Sequence, residues 1–177
     1  DPKFEGVFQL DSFFVGANVR KVTQSGHADY IPIFLSETQK LYRCGAVPCN
    51  VAMIQVCPPD KHGYVSLGTS VDATLAAVEC ADHVIAVVNK YVPRAFGQAM
   101  IPMSKIDIFV QDDTPLIEAK FSEPNEVETA IGRNCAALIE DGATLQMGIG
   151  AIPNAVLSQL GGHKNLGIHT EMFADGV

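Results

Sequence analysis

The chain has 177 residues, with 20 acidic and 12 basic side chains and a formal net charge of −8. An acidic balance of this kind argues against a general nucleic-acid surface, because a phosphate backbone needs a positive one, although a small anion site made of backbone amides stays possible. Apolar residues make up 47% and charged residues 18%, enough to bury a sizeable core and too apolar for a disordered chain.

In chain order, residues 13–19 read as a strand with Gly16 inside it, and 30–34 as another, interrupted by Pro32. Residues 36–41 look like the start of a short helix with Ser36 as a candidate cap. The run 51–56 is apolar at every position but Gln55 and carries β-branched residues, the pattern of a strand covered on both faces, and Pro58-Pro59-Asp60 ends it. A short partner strand is expected at 65–67. Residues 70–80 form a helix pattern, with Val71, Leu75, Val78 and Ala81 on one apolar face. Strands follow at 84–88 and 106–110. Strand, helix, strand order implies mostly parallel sheets with flanking helices.

A boundary is expected near 121–125, where Ser122-Glu123-Pro124-Asn125-Glu126 is polar and opens a helix with early glutamates. Ile131, Ala136, Leu138 and Ile139 supply the apolar side of that helix, and Glu140-Asp141-Gly142 closes it. A strand at 143–147, a glycine turn, a helix at 152–160 and a strand at 166–169 complete a βαβ unit. That small sheet would have an apolar edge unpaired, so continuation in a longer polypeptide or a separate chain is expected.

Cys44, Cys49, Cys57, Cys80 and Cys135 form no C-x-x-C pair, and thiols in apolar runs are usually small core residues. A reducing compartment is expected: the cytoplasm, or the mitochondrion for a eukaryotic source. No apolar run reaches a membrane-spanning length. Spaced His/Cys clusters are lacking, so no metal site is expected.

Three stretches could carry chemistry. Gly148-Ile149-Gly150-Ala151-Ile152-Pro153 follows a strand and opens a helix, so it could present free amides to an anion or simply turn the chain. It matches neither a dinucleotide fingerprint nor a P-loop. His169-Thr170-Glu171 ends the next strand. A carboxylate on that rim can serve as base, metal ligand or nucleophile, or sit inertly at the surface. The loop 58–64 and the segment Asn89-Lys90-Tyr91-Val92-Pro93-Arg94 also follow strands. Lys90 and Arg94 could meet substrate anions or merely be solvated, and Asp60, His62 and Ser66 show no defensible triad order.

Taken together, 58–70, 89–94, 104–107, 148–153 and 166–176 resemble the acetyl-CoA hydrolase/transferase family, close to the 4-hydroxybutyrate and butyrate:acetate CoA-transferases. The resemblance implies a longer two-domain enzyme of CoA-transferase-type α/β fold. Residues 1–123 would be the latter part of its first domain and 124–177 the start of its second. It also implies that Glu171 is the catalytic nucleophile and that Gly148, Ile149, Gly150, Ala151 and Ile152 form a CoA-binding loop. CoA and acyl-CoA would be substrates, with no tightly bound cofactor. A short-chain carboxylate, the remainder of the same enzyme and a second copy in a homodimer would be the partners. Transfer of CoA between carboxylic acids is the implied activity. Hydrolysis of a short acyl-CoA, or a non-catalytic CoA-binding or assembly role, stays open beside it.

Overall fold

A computed structural model of the chain describes residues 4, 6–118, 123–173 and 176–177. It divides into two compact units, Asp1–Leu116 and Ile117–Val177. Ser122, within the expected boundary, and Asp175 lie outside the described residues.

In the first unit, β3 (Val51–Val56), β5 (His83–Val88) and β7 (Ile108–Gln111) form a parallel sheet in the order β3-β5-β7. Met53 pairs with Ile85, and Ile85 with Ile108. The two longer strands come from the two clearest β-branched runs, within a residue of their expected positions. One face carries Ala52, Ile54, Val56, Val84, Ala86 and Val88, which pack into a core with Val65, Leu67, Val78 and Ile101. The other face is open in this chain: β3 alternates exposed and buried residues, and Met53 is 81% exposed. The expectation of a strand covered on both faces is therefore corrected to one covered face. Gln55 on the open face is the one polar residue of the run, and the apolar Val51 and Met53 beside it on that face hide the alternation.

The short strand β4 (Tyr64–Ser66) pairs antiparallel with β6 (Met100–Pro102), a strand the sequence did not reveal. Helix α3 (Thr74–Cys80) starts four residues later than expected. The Asp72 carboxylate takes the amides of Ala73 and Thr74 and the Thr74 hydroxyl, building a turn where the helix had been expected. Val71, expected on the helix's apolar face, is exposed ahead of it.

At the start of the chain, β1 (Leu10–Ser12) and β2 (Ala28–Tyr30) form a parallel pair around α1 (Ala17–Gln24). The expected strand at 13–19 is instead a bend followed by this helix, with Gly16 extended at its N-cap. The strand expected at 30–34 ends at Tyr30, ahead of Pro32, which has no amide to extend a ladder. Helix α2 (Leu35–Arg43) begins after Phe34, so Ser36 is inside the helix and caps nothing.

In the second unit, α4 (Glu126–Ala136) opens with a capping box. The Asn125 side chain accepts the Glu128 amide at 2.9 Å and Glu128 accepts the Asn125 amide at 2.8 Å. Gly132 and Ala136 form its buried side, and Leu138, expected there, lies past the helix end and is 84% exposed. Strand β8 (Thr144–Leu145), helix α5 (Ala151–Leu157) and strand β9 (Gly167–Ile168) follow, and the two strands pair in parallel. Among the described residues, three of the four sheets are parallel, with β4-β6 the exception. The chain is thus mixed α/β with mostly parallel sheets and flanking helices.

Candidate active site

The strand order of the second unit brings two sequence-predicted elements to one rim. The glycine loop leaves the carboxyl end of β8, and Glu171 lies just beyond the carboxyl end of its parallel neighbour β9. Ligands of open α/β sheets bind at such ends. Gly150 is the N-cap of α5 with φ 109° and ψ −173°, a left-handed conformation that side chains resist. A Cβ built there meets nothing within 4 Å, so the loop faces open space. The first helical bond runs from the Asn154 amide to the Gly150 carbonyl, leaving the amides of Ala151 and Ile152 outside the helical ladder. Pro153, next in the chain, has no amide to leave over. With only seven residues, α5 adds little dipole, so the loop amides themselves are what an anion could meet.

The two strand ends are tied together by the side chain of Thr170, whose role no sequence pattern marks. The Thr170 hydroxyl donates to the Met147 carbonyl at 2.8 Å and accepts the Met147 amide at 3.2 Å. Met147 is the residue before the loop, and Thr170 the residue before Glu171. Glu171 is exposed. His169 extends the ladder through its amide to the Leu145 carbonyl at 2.9 Å, and its ring is on the exposed side.

In the first unit, the segments 58–70 and 89–94 are knitted to each other after the ends of β3 and β5. Arg94 reaches the Pro58 carbonyl, the Asp60 carboxylate at 3.4 Å, the Tyr64 carbonyl at 3.5 Å and the Met100 sulfur at 3.8 Å. Asp60 also accepts the amides of His62 and Tyr64. The Tyr64 amide, above all, holds the Asp60 carboxyl below the usual carboxylate range against the opposing effect of desolvation. The His62 amide and the Arg94 charge add to it. Ser66 is 0% exposed; its hydroxyl donates to the Ala95 carbonyl and accepts the amides of Gly68 and Ala95. Asp60, His62 and Ser66 therefore form no triad; Asp60 and Ser66 are committed to backbone groups that build the loop.

Of the two cations weighed for substrate anions, Arg94 is committed to this lock. Lys90 pairs with Asp113 at 3.4 Å in solvent, where such a pair contributes little. Asn89, 1% exposed, bonds Gln55 and the Thr114 carbonyl and accepts the Tyr91 amide, fixing the start of its segment. Gly68 completes the joint: a Cβ there would lie 2.5 Å from a Val92 methyl. All five cysteines are free thiols, and Cys57 is buried in the manner expected of a core residue. Burial first, then Cys80 and Asp82, push the Cys49 thiol up. Among the described residues, no helix is long and apolar enough to cross a membrane. No group of three His, Cys, Asp or Glu among them could hold a metal ion.

Comparisons with known proteins agree with this architecture. The acetyl-CoA hydrolase/transferase N-terminal domain matches residues 1–118. The chain is 52% identical to the succinyl-CoA:acetate/propanoyl-CoA:succinate CoA transferase of Fasciola hepatica over 174 residues, 98% of this chain and 36% of that protein. It is 52% identical to the 4-hydroxybutyrate coenzyme A transferase of Clostridium kluyveri over 170 residues, 96% of this chain and 40% of that protein. The crystal structure of 4-hydroxybutyrate CoA-transferase from Porphyromonas gingivalis superposes with a TM-score of 0.78 at 43% identity, covering 95% of this chain and 43% of that one. RipA from Yersinia pestis superposes with a TM-score of 0.85 at 35% identity, covering 94% and 40%. The chain thus spans about two fifths of the length of the relatives it matches. On the match across 1–118 and on these relatives, the chain belongs to the acetyl-CoA hydrolase/transferase family.

Proposed function

We propose that the chain is part of a CoA-transferase that moves CoA from a short-chain acyl-CoA to a carboxylic acid, with Glu171 as covalent nucleophile. The observation that carries this reading is the placement of Glu171 beside the glycine loop at the ends of two paired parallel strands. The relatives are named as CoA transferases acting on succinyl-, propanoyl- and 4-hydroxybutyryl-type substrates, which supports the reaction class. Residues 124–177 are the opening of a second domain in this reading. The full-length enzyme works as a homodimer. Five free thiols suit a reducing compartment: the cytoplasm, or the mitochondrion in a eukaryote.

The chemistry conserves the thioester. The Glu171 carboxylate attacks the acyl-CoA carbonyl carbon, the C–S bond breaks, and CoA leaves as thiolate from a mixed glutamyl anhydride. The thiolate then attacks the glutamyl carbonyl, expelling the acyl carboxylate and leaving a glutamyl-CoA thioester. The acceptor carboxylate attacks that thioester, and the returning thiolate resolves the second anhydride as the new acyl-CoA. Each tetrahedral oxyanion needs hydrogen-bond donors. The Gly148–Ile152 loop is proposed to take a polar part of CoA through its amides, which places the thioester near Glu171.

Wild-type full-length enzyme incubated with acyl-CoA and then borohydride should be reduced at residue 171, located by peptide mass spectrometry. Reduction at another carboxylate would remove Glu171 from the mechanism. The family also contains acetyl-CoA hydrolases, as the matched domain's name states. Turnover that needs no carboxylate acceptor would assign this chain to that branch, with water completing the same intermediate.

A further inference from the structure

We infer that Thr170 is a positioning residue for this exchange, its hydroxyl fixing the roots of the glycine loop and of Glu171 in one relative placement. The inference rests on the proposed role of Glu171. The parallel ladder of the second unit shows why the hydroxyl has this part. The Gly167 amide donates to the Ala143 carbonyl at 2.9 Å and the His169 amide to the Leu145 carbonyl at 2.9 Å. Two residues further along both strands, the next rung would join the Glu171 amide to the Met147 carbonyl. Among the described residues the donor at that carbonyl is the Thr170 hydroxyl instead, and the same oxygen receives the Met147 amide. One hydroxyl can do both, having one hydrogen to donate and two lone pairs.

Three consequences follow from that substitution of side chain for backbone. Met147 is 7% exposed, so its two main-chain groups would be costly to leave unpaired, and the bond is held firmly. The β-branch of threonine restricts its rotamers, so the hydroxyl does not wander from this bridge. The ladder also stops one rung early, and Glu171 leaves the sheet with its amide not committed to β8. The lock therefore acts on residue 147, directly before Gly148, and on residue 170, directly before the nucleophile. The Thr170 hydroxyl spends its hydrogen on the Met147 carbonyl and takes the Met147 amide, so it acts through the backbone. Its effect is on where the carboxylate stands relative to a thioester held at the loop.

Thr170→Val keeps the shape and removes both hydrogen bonds; Thr170→Ser keeps the hydroxyl. In the full-length enzyme, each variant is measured for the CoA dissociation constant, thermal midpoint and single-turnover rate of borohydride-trappable glutamyl thioester. Misplacing a nucleophile by about an ångström costs on the order of 100-fold, so Thr170→Val should lose roughly that in the rate of thioester formation. Its CoA affinity should stay within about twofold, since binding is not what the lock controls. Thr170→Ser should recover most of the rate. A wild-type rate in Thr170→Val overturns the inference. So do equal losses in both variants accompanied by parallel losses of CoA affinity and thermal midpoint, which would mark a packing role. Failure of the underlying reading shows separately, as wild-type enzyme with no reduction at residue 171.

Discussion

Gly132 of α4 and Ala155 of α5 touch through their backbones: a Cβ added to Gly132 would lie 2.5 Å from the Ala155 carbonyl oxygen. Both residues are buried, and α5 is the helix whose first residues carry the glycine loop. The close approach of these two helices thus sets where the loop stands, from a position far from any substrate in sequence.

Gly132→Ala weighs two effects against each other. Alanine gains about 1 kcal/mol of helix propensity over glycine in a helix interior. The methyl, however, meets backbone that cannot rotate away, and overpacking of that kind costs about 1–3 kcal/mol. The clash should win. The urea midpoint of the full-length enzyme should fall, and CoA affinity should fall with it as α5 is displaced. A raised midpoint would mean that α4 and α5 are not in contact at this position.

How far the sequence already held this picture depends on what each residue's neighbours demand. Strands β3 and β5 were legible because Val51–Val56 and His83–Val88 are nearly pure apolar runs, whose only stable use is against a core. The start of α3 was not, because Asp72 competes for the amides that the helix would have used. The Asn125–Glu128 capping box was available in the N-x-x-E spacing and would have placed the start of α4 to the residue. Glu171 and the glycine loop stood out in the sequence because both follow strands. The lock between Thr170 and Met147 joins residues 23 apart in sequence, and only the register of β8 on β9 brings them together. Arg94 showed a charge in the sequence but not its destination, because two of its four partners are backbone carbonyls, of Pro58 and Tyr64, which carry no side-chain signal.

That destination gives Arg94 a testable structural role. Arg94→Gln in the full-length enzyme should loosen the 58–64 loop and speed tryptic cleavage after Lys61 at neutral pH. Arg94→Lys should fail to restore protection, because one ammonium cannot reach acceptors spread over Pro58, Asp60 and Tyr64 as a planar guanidinium does. Unchanged cleavage in both variants would show that the loop is held by other contacts.

The same loop predicts a pH dependence through Asp60. Its folded pKa lies below the ordinary carboxylate value, chiefly through the Tyr64 amide, so the carboxylate stabilises the fold above the ordinary value of about 4. The contribution is lost as pH falls through the lower folded value, where the native loop must take up a proton. Amide exchange at His62 and Tyr64, corrected for its intrinsic pH dependence, should be steady from neutral pH down to the ordinary carboxylate range and accelerate below it. Asp60→Asn should flatten that acid limb. An acid limb that survives in Asp60→Asn belongs to a different carboxylate.

Glu171→Gln replaces the proposed nucleophile by an amide of the same size. The side chain is exposed and makes no hydrogen bond among the described residues that the amide would lose, so folding and CoA binding should persist. Exchange should fall to background, because a carboxamide cannot form the anhydride. Glu171→Asp keeps the carboxylate one methylene short and should still lose about 100-fold, since placement as well as chemistry is required. Near-normal transfer by Glu171→Gln would end the covalent mechanism.

The last prediction concerns Gly150, where two costs must be told apart. Its φ of 109° suits glycine, while open space around the missing Cβ means that a side chain would meet no atom of the chain itself. A substitution therefore strains the backbone by about 1–3 kcal/mol and also fills the space through which a ligand would approach. Strain alone lowers the thermal midpoint and, if the loop stays in place, leaves CoA affinity nearly unchanged. Obstruction alone does the reverse. Gly150→Val should show both, with CoA affinity in the full-length enzyme reduced about tenfold, equivalent to about 1.4 kcal/mol. Gly148→Ala serves as the comparison. Its Cβ would meet only Pro153, at 3.7 Å, an ordinary contact, so any affinity it loses reports the space next to the loop without the positive-φ strain. If Gly150→Val loses thermal stability while both variants keep wild-type CoA affinity, the loop is a structural turn, and the CoA site must be sought on other residues.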